Sequence, residues 1–348
     1  MNRPGHPDAA GVRLAGAEGS TNPEGEASPF PAAGTSEGSH WKSRPIEFRF
    51  SLSYLKLFGL TFQALEDTRP FDPDAPKLAA AQPPMERIPR GYDVIVERGR
   101  PLANPIPVIQ RLPNMIVYAP RQMLHFYTDL RGGPGQAFKW MSSKTRSTLM
   151  RKVRGYREFS GDEIDWRIYR SREEVAVFHS LARDLARKTY QERLFDAGLP
   201  DSEEFRRQML ELAGRDLVRA YLLFHGGKPV AYLYTPAPDG FLVYEYLGYD
   251  PAYHDRSPGT VLQCLALEAA FTEQRFPMYY WSYGETQTKR LFSTGNVLGA
   301  DIFYFRPTLR NSLAVRAHYG TDRFAASTGE LLNRLKLKQR IKLMLKGQ

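Results

Sequence analysis

At 348 residues with a formal net charge of +10, the chain is long enough for two compact units and is biased toward anionic partners such as nucleotide cofactors, RNA or membrane lipid. Its single cysteine, Cys264, excludes a disulfide framework and a multi-cysteine metal site. No charged-then-apolar segment opens the sequence and no apolar run nears membrane-spanning length, so the expected location is cytoplasmic.

Residues 1–40 are rich in Gly, Ala, Pro, Ser and Glu, with hardly a large apolar side chain before Phe30. Such a segment buries too little surface to offset its ordering entropy and reads as a disordered tail. From Pro45 the composition changes. Phe48, Phe50, Leu52, Tyr54 and Phe58 make an aromatic, partly alternating start to the folded part, and the Pro-rich stretch from Pro70 to Pro89 reads as a loop. Strand signals follow at Tyr92–Glu97, Met115–Tyr118 and His125–Leu130, so 45–135 is expected to form a smaller α/β lobe. His125, among aromatic residues, is expected to be a packed histidine.

Residues 139–157 carry Lys139, Lys144, Arg146, Arg151, Lys152, Arg154 and Arg157 with no acidic residue. Leu149, Val153 and Tyr156 keep an apolar stripe, so this is an amphipathic basic helix. Its charged face is either simply solvated or a contact for lipid head groups, RNA phosphates or an anionic substrate. A strand near 164–169 and a helix over 173–193 come next, with His179 off the apolar stripe and expected to be exposed. The Thr-Tyr-Gln-Glu-Arg-Leu-Phe run at 189–195 either lines a substrate entrance or packs two aromatics at the helix end. A helix over 203–213 leads into three strand patterns, 217–224, 229–235 and 241–249, joined by turns at Gly226-Gly227 and Asp239-Gly240.

The stretch from Phe241 to Phe271 organises the chain. Its aromatic first part reads as one strand buried on both faces, and its last part as a helix with Leu262, Leu265, Ala266 and Ala269 on one face. Between them Ser257 is placed to cap, Pro258 suits the first helical position, and Gly259 is expected to face a cleft and let a ligand approach the backbone. The free N–H groups of that turn, the helix dipole and Arg256 together attract an anion. Met278–Tyr283 reads as the next strand, parallel to the first because a long helix connects them. Residues 302–305 read as a final strand, and 326–348 as a basic amphipathic helix in which Leu331, Leu332, Leu335 and Leu337 interleave with Arg and Lys.

Arg256-Ser257-Pro258-Gly259-Thr260 resembles the pyrophosphate turn of the GNAT acyltransferase superfamily, although Val261 stands where that pattern has Gly or Ala. The Gly-Tyr-Asp-Pro strand end at 248–251, the Ser-Ser-Lys-Thr-Arg-Ser run at 142–147 and Gly284-Glu285…Lys289…Phe292 are similar to the CelD/FemAB-like branch, with Thr288 in place of its usual Tyr. The resemblance implies a GNAT-like mixed sheet flanked by helices over 136–325, with the 45–135 lobe a degenerate second GNAT-like unit. It also implies that the strand pair around the crossover helix splays to admit the pantetheine arm of an acyl-CoA, acetyl-CoA first, held by Arg256, Ser257, Gly259 and Thr260.

Acyl transfer needs a base for the acceptor, donors for the developing oxyanion and an acid for the leaving thiolate, but no covalent nucleophile. Glu245 is the first base and Asp250 the second; Tyr283 or Tyr246 serves as acid. Glu285 and Lys289 contact the acceptor. No metal is expected, since no ligand spacing is present. The expected function is N-acyl transfer from acyl-CoA to an amine, on a small molecule or a cell-envelope or exopolysaccharide precursor, in a cytoplasmic protein peripheral to the inner face of the membrane. The alternatives are Fem-like transfer from an aminoacyl-tRNA and a non-catalytic scaffold docked on anionic membrane by its basic helices.

Overall fold

The computed structural model describes residues 13–14, 40–52, 55–188 and 198–334. Among the described residues thirteen strands and six α-helices run in chain order: β1 (Arg13–Leu14), β2 (Trp41–Leu52), β3 (Leu55–Asp67), β4 (Val94–Pro101), β5 (Ile109–Arg111), β6 (Ile116–Asp129), α1 (Ser143–Phe159), β7 (Trp166–Tyr169), α2 (Arg172–Ala186), α3 (Glu203–Gly214), β8 (Val218–His225), β9 (Lys228–Pro236), β10 (Leu242–Val243), β11 (Tyr246–Tyr249), α4 (Pro258–Glu273), β12 (Met278–Tyr283), α5 (Gln287–Phe292), β13 (Gly295–Phe305) and α6 (Leu309–Arg334). A 3₁₀ turn, Pro251–Arg256, precedes α4. The fold is mixed α/β, as the sequence leads one to expect. Two expectations, the 189–195 entrance and the tail after Arg334, lie outside the described residues. Within the predicted disordered tail, Arg13–Leu14 pairs antiparallel with β2, and the rest of 1–39 also lies outside them.

Two compact units divide the chain, one of residues 1–122 and 298–348, the other of residues 123–297. In the first, β2 and β3 form a long antiparallel hairpin, β3 runs parallel to β4, and β4 pairs antiparallel with β13. Side chains alternate between the faces with period two. Phe48, Phe62, Val94, Val96, Phe303 and Phe305 pack with Ala314 and Val315 of α6 on one face, while Ile95, Val117, Ile302 and Tyr304 meet loop residues Leu78 and Ile88 on the other. That loop is the predicted Pro-rich stretch. The described residues of 45–135 contain no helix; the helix of this unit, α6, comes from the other end of the chain. Glu66, 1% exposed, is bound by Arg44 and by Arg98, which also reaches Asp301 at 3.1 Å. Burial pushes the Glu66 carboxyl up, but the two arginines outweigh it and leave it below its ordinary value.

The second unit centres on an antiparallel sheet ordered β11-β9-β8-β7. Gly226 and Gly227, at φ +56° and +71°, close the β8–β9 hairpin as a primed turn requires. Phe178, Ala182 and Met209 from α2 and α3 cover one face, and Tyr156, Val261, Leu262 and Ala266 from α1 and α4 cover the other. α4 is buried nearly all round, because its opposite side (Cys264, Leu267, Phe271) packs on Tyr279 and Trp281 of β12. A single apolar stripe was the expectation; two cores share the helix instead. His179, expected to be exposed, is buried at 6%, its Nε2 2.9 Å from the Pro200 carbonyl oxygen.

Candidate functional site

The predicted strand 241–249 is broken at its middle. Leu242 and Val243 pair parallel with Tyr279 and Tyr280, whereas Tyr246–Tyr249 pair antiparallel with Tyr234–Ala231 of β9. The change happens within two residues. The Tyr244 N–H donates to the Tyr280 carbonyl at 2.8 Å, and the next amide, Glu245, donates to Tyr234 at 3.4 Å. One chain thus leaves β12 for β9, making a fork. Among the described residues β11 is, beyond the fork, the end strand of its sheet, so its outer edge carries main-chain groups with no ladder partner among them. Asp250 donates its amide to Val230 at 2.9 Å on the β9 side, so by alternation the amides of Tyr249 and Leu247 face the open edge. Gly248 permits this path. A Cβ there would fall on the Tyr232 ring, its hydroxyl oxygen 2.7 Å away.

The fork leads to the N-terminus of α4. Asp250 accepts from the Ala252 N–H at 3.0 Å, capping the 3₁₀ turn, and lies 3.7 Å from Lys188 Nζ. Ser257 follows at φ +52°, ψ +44°, and its side chain makes no capping hydrogen bond, contrary to expectation. A left-handed residue turns the chain sharply into the helix and points its side chain away from the position a cap needs. Pro258 has no N–H, and the first helical bond is Val261 N–H to Ser257 O at 3.1 Å. The amides of Gly259 and Thr260 therefore have no partner within the helix and carry the positive end of its dipole. Arg256 stands over the Phe159 ring at 4.5 Å, and Phe159 stacks on His225 at 4.1 Å. Gly259 does not face a cleft. It is buried, and a Cβ would meet Leu247 Cδ2 at 3.2 Å and Tyr249 Cδ1 at 3.3 Å. Helix and open strand touch there, which requires a small residue. Val261 is fully buried among Tyr221, Leu223 and Leu233, packed inside rather than presented at the turn.

Glu245 sits at the fork, not mid-strand. Protein crowding around its carboxyl pushes it up to about 7, although the residue is exposed by surface area. Water reaching the group moderates that push without reversing its sign. Tyr234 is its neighbour: burial and then the Glu245 charge raise the Tyr234 hydroxyl well above its ordinary value. Tyr246 packs edge-on against Phe205 at 5.7 Å. Tyr283, 48% exposed, ends β12, and its ring centroid lies 6.0 Å from that of His125. The Lys289 ammonium donates to the Tyr283 carbonyl, and burial lowers its proton affinity. Glu285 is exposed and ion-paired with Arg290. Between Trp281 and Tyr283, Ser282 adopts φ +72°, and the β12–β6 ladder slips between Tyr280 and Tyr283. Sequence reasoning missed Tyr280, whose hydroxyl lies 2.6 Å from His125 Nδ1. The available signal was alternation: Tyr279 and Trp281 enter the core, so Tyr280 takes the other face.

Among the described residues no group of three or more His, Cys, Asp or Glu is placed to hold a metal ion. Two hollows open elsewhere on this unit, one of about 360 Å³ beside His179, Arg183 and Met209, the other of about 540 Å³ beside Trp166, Leu265 and Ala269. Neither includes the fork or the turn before α4. The fork is a better candidate than either hollow because its unpaired main-chain donors and carboxyl supply chemistry that depth alone does not.

Residues 143–290 match the model of a family described as an acetyltransferase (GNAT) domain. Among solved structures, FemX is similar at 8% identity with a TM-score of 0.44, covering 80% of this chain and 90% of that one. L-PGS from Bacillus licheniformis is similar at 14% identity with a TM-score of 0.40, covering 66% and 73%. A GCN5-related N-acetyltransferase from Kribbella flavida is similar at 13% identity with a TM-score of 0.28, covering 56% and 62%. No curated protein matches.

Proposed function

Residues 143–290 are a GNAT acetyltransferase domain, and from that premise we propose that the protein transfers an acyl group from acyl-CoA, acetyl-CoA first, to an amine. The observation that carries this reading is the fork, where one edge of β11 has no ladder partner among the described residues and lies beside the free amides of α4. The pyrophosphate of the donor sits against the amides of Gly259 and Thr260 at the positive end of α4, with Arg256 beside it and Ser257 turning the chain around it. The pantetheine amides pair with the open edge of β11 as a further strand would. An amide of that edge then donates to the thioester oxygen as it becomes an oxyanion.

Glu245 takes the proton of the acceptor ammonium, directly or through one water. The free amine attacks the thioester carbonyl and forms the C–N bond, the C–S bond breaks, and the thiolate leaves with a proton from Tyr283. The surplus proton on the new amide nitrogen passes to the Tyr283 oxygen and restores it. A base held near neutral pH suits this work, because it is unprotonated when needed yet keeps enough proton affinity. Asp250 holds the 3₁₀ turn and Lys188, which favours a supporting role over that of base. Glu285 and Lys289 flank the acceptor side, and an envelope or exopolysaccharide precursor is the acceptor class we favour.

Native mass spectrometry of the purified protein with an acyl-CoA panel and bulk tRNA tests the donor. The reading expects a CoA adduct that Arg256→Ala weakens. An RNA adduct without any CoA adduct would overturn it in favour of an aminoacyl-tRNA donor.

A further inference from the structure

α1 presents Lys144, Arg146, Arg151, Lys152, Arg154 and Arg157 to solvent, all exposed, against one acidic residue, Glu158. Among the described residues none of these six cationic groups lies within ion-pair distance of a carboxylate. The neighbouring helices of the same unit behave differently. On α3, Arg206 is 2.7 Å from Glu203 and Arg207 is 2.6 Å from Glu204; on α2, Arg187 is 3.3 Å from Asp184. Crowding like charges on one helix without counter-charges is unfavourable for the isolated protein. A partner of opposite charge removes that cost.

The geometry points to an anionic lipid bilayer as that partner: we propose that the outward face of α1 docks the protein on negatively charged membrane. At 1.5 Å per residue the 17-residue helix is about 26 Å long. Lys144, Arg151 and Arg154 fall along its outer crest, which also carries Glu158 near its C-terminal end, with Arg146 and Arg157 on one flank and Lys152 on the other. The apolar face is already used, since Leu149 and Tyr156 are buried at 3% and 1%. α1 therefore stays folded against α4 and contacts the surface through charge, without inserting. The crest is convex and carries no aromatic side chain on which a base would stack, which favours a lipid surface over single-stranded RNA. Phe159, at the end of this helix, lies beneath Arg256. Docking through α1 would thus bring the turn before α4 close to the membrane surface. The inference itself does not require acyl transfer.

Co-sedimentation of the full chain with phosphatidylcholine vesicles, with and without phosphatidylglycerol, tests it. Binding is expected only to the anionic vesicles and should fall steeply with added salt. The triple variant Lys144→Gln, Arg151→Gln, Arg154→Gln is expected to bind about tenfold or more weakly. A control with the same charge change, Arg206→Gln, Arg207→Gln, Lys228→Gln, should bind within about threefold of wild type on the same scale. Far-UV circular dichroism and acyl-CoA binding should be unchanged in the α1 variant, which separates docking from the donor reading. Equal loss in both variants would mean that net charge and not α1 acts, and undiminished binding of the α1 variant would place docking elsewhere. Binding to tRNA through these three residues, with no anionic-vesicle binding at low salt, would overturn the lipid assignment for RNA.

Discussion

Among the described residues, the unit of residues 1–122 and 298–348 has no non-glycine side chain in the left-handed region, whereas residues 123–297 hold six: Phe138, Asp162, Asp216, Ser257, Gln274 and Ser282. Each costs about 1–2 kcal/mol relative to a regular conformation. Charge is handled differently as well. In the first unit Arg44, Arg98 and Asp301 join Glu66 in one network; in the second, six cations of α1 have no carboxylate partner among the described residues. The second unit also pairs the buried Arg219 with the half-buried Glu273 at 2.9 Å, so it does not lack the means to neutralise charge. Two of its strained serines stand where the chain must turn, before α4 and at the end of β12. The lesson is that strain and unmet charge gather in the unit that matches an enzyme domain, while the other is built for regularity.

The sharpest way to break that comparison is to remove the fork carboxylate. Glu245→Gln should lower the acyl-transfer rate by about a hundredfold or more while leaving acyl-CoA binding intact. In the wild type, activity should rise with pH through about 7, and the variant should lose that limb. Stability runs the opposite way. The folded state holds this proton more tightly than the unfolded chain, whose carboxyl sits near 4.5, so the contribution is full below 4.5 and fades as pH rises through about 7. A pH–rate profile unchanged by the substitution would remove Glu245 from the mechanism.

In the regular unit, Glu66→Ala should cost about 3 kcal/mol in urea unfolding, near the low end for a broken buried pair because both arginines reach water. A neutral outcome would mean that this network only tolerates its charges. Gly248→Ala should cost about 2 kcal/mol, since the added methyl meets the buried Tyr232 ring, and should weaken donor binding by disturbing the fork. An unchanged melting curve would show that Tyr232 moves freely aside. The smallest effect belongs to the turn. Ser257→Gly relieves a left-handed side chain and removes no cap, so a gain of about 0.5–1 kcal/mol is expected by thermal unfolding. A loss there would reveal a role for the hydroxyl in the free protein.

Much of the fold was legible because its signals are local. The strand period over 92–97, the Gly226-Gly227 turn and the Pro258 helix start each follow from a few neighbouring residues, and each is present. The burial of Cys264, 1% exposed, was legible for the same reason. Gly259, His179 and Tyr280 were not, because their surroundings come from residues distant in sequence. Gly259 is hemmed in by Leu247 and Tyr249, His179 is closed over by Pro200, and Tyr280 meets His125.

By itself the sequence determined the kinds of element, the cationic face of α1 and the motif order that marks the acetyltransferase domain, all of which depend on residues a few positions apart. Tertiary structure alone decided that the strand after Phe241 would divide. The residues from Phe241 to Tyr249 are mostly aromatic and aliphatic, and although Glu245 and Gly248 interrupt that pattern, neither says which neighbour each half will pair with. Whether Tyr244 and Glu245 donate to the same neighbour depends on where β9 and β12 lie, and hydrogen bonds between strands are set by register and spacing that no single segment encodes.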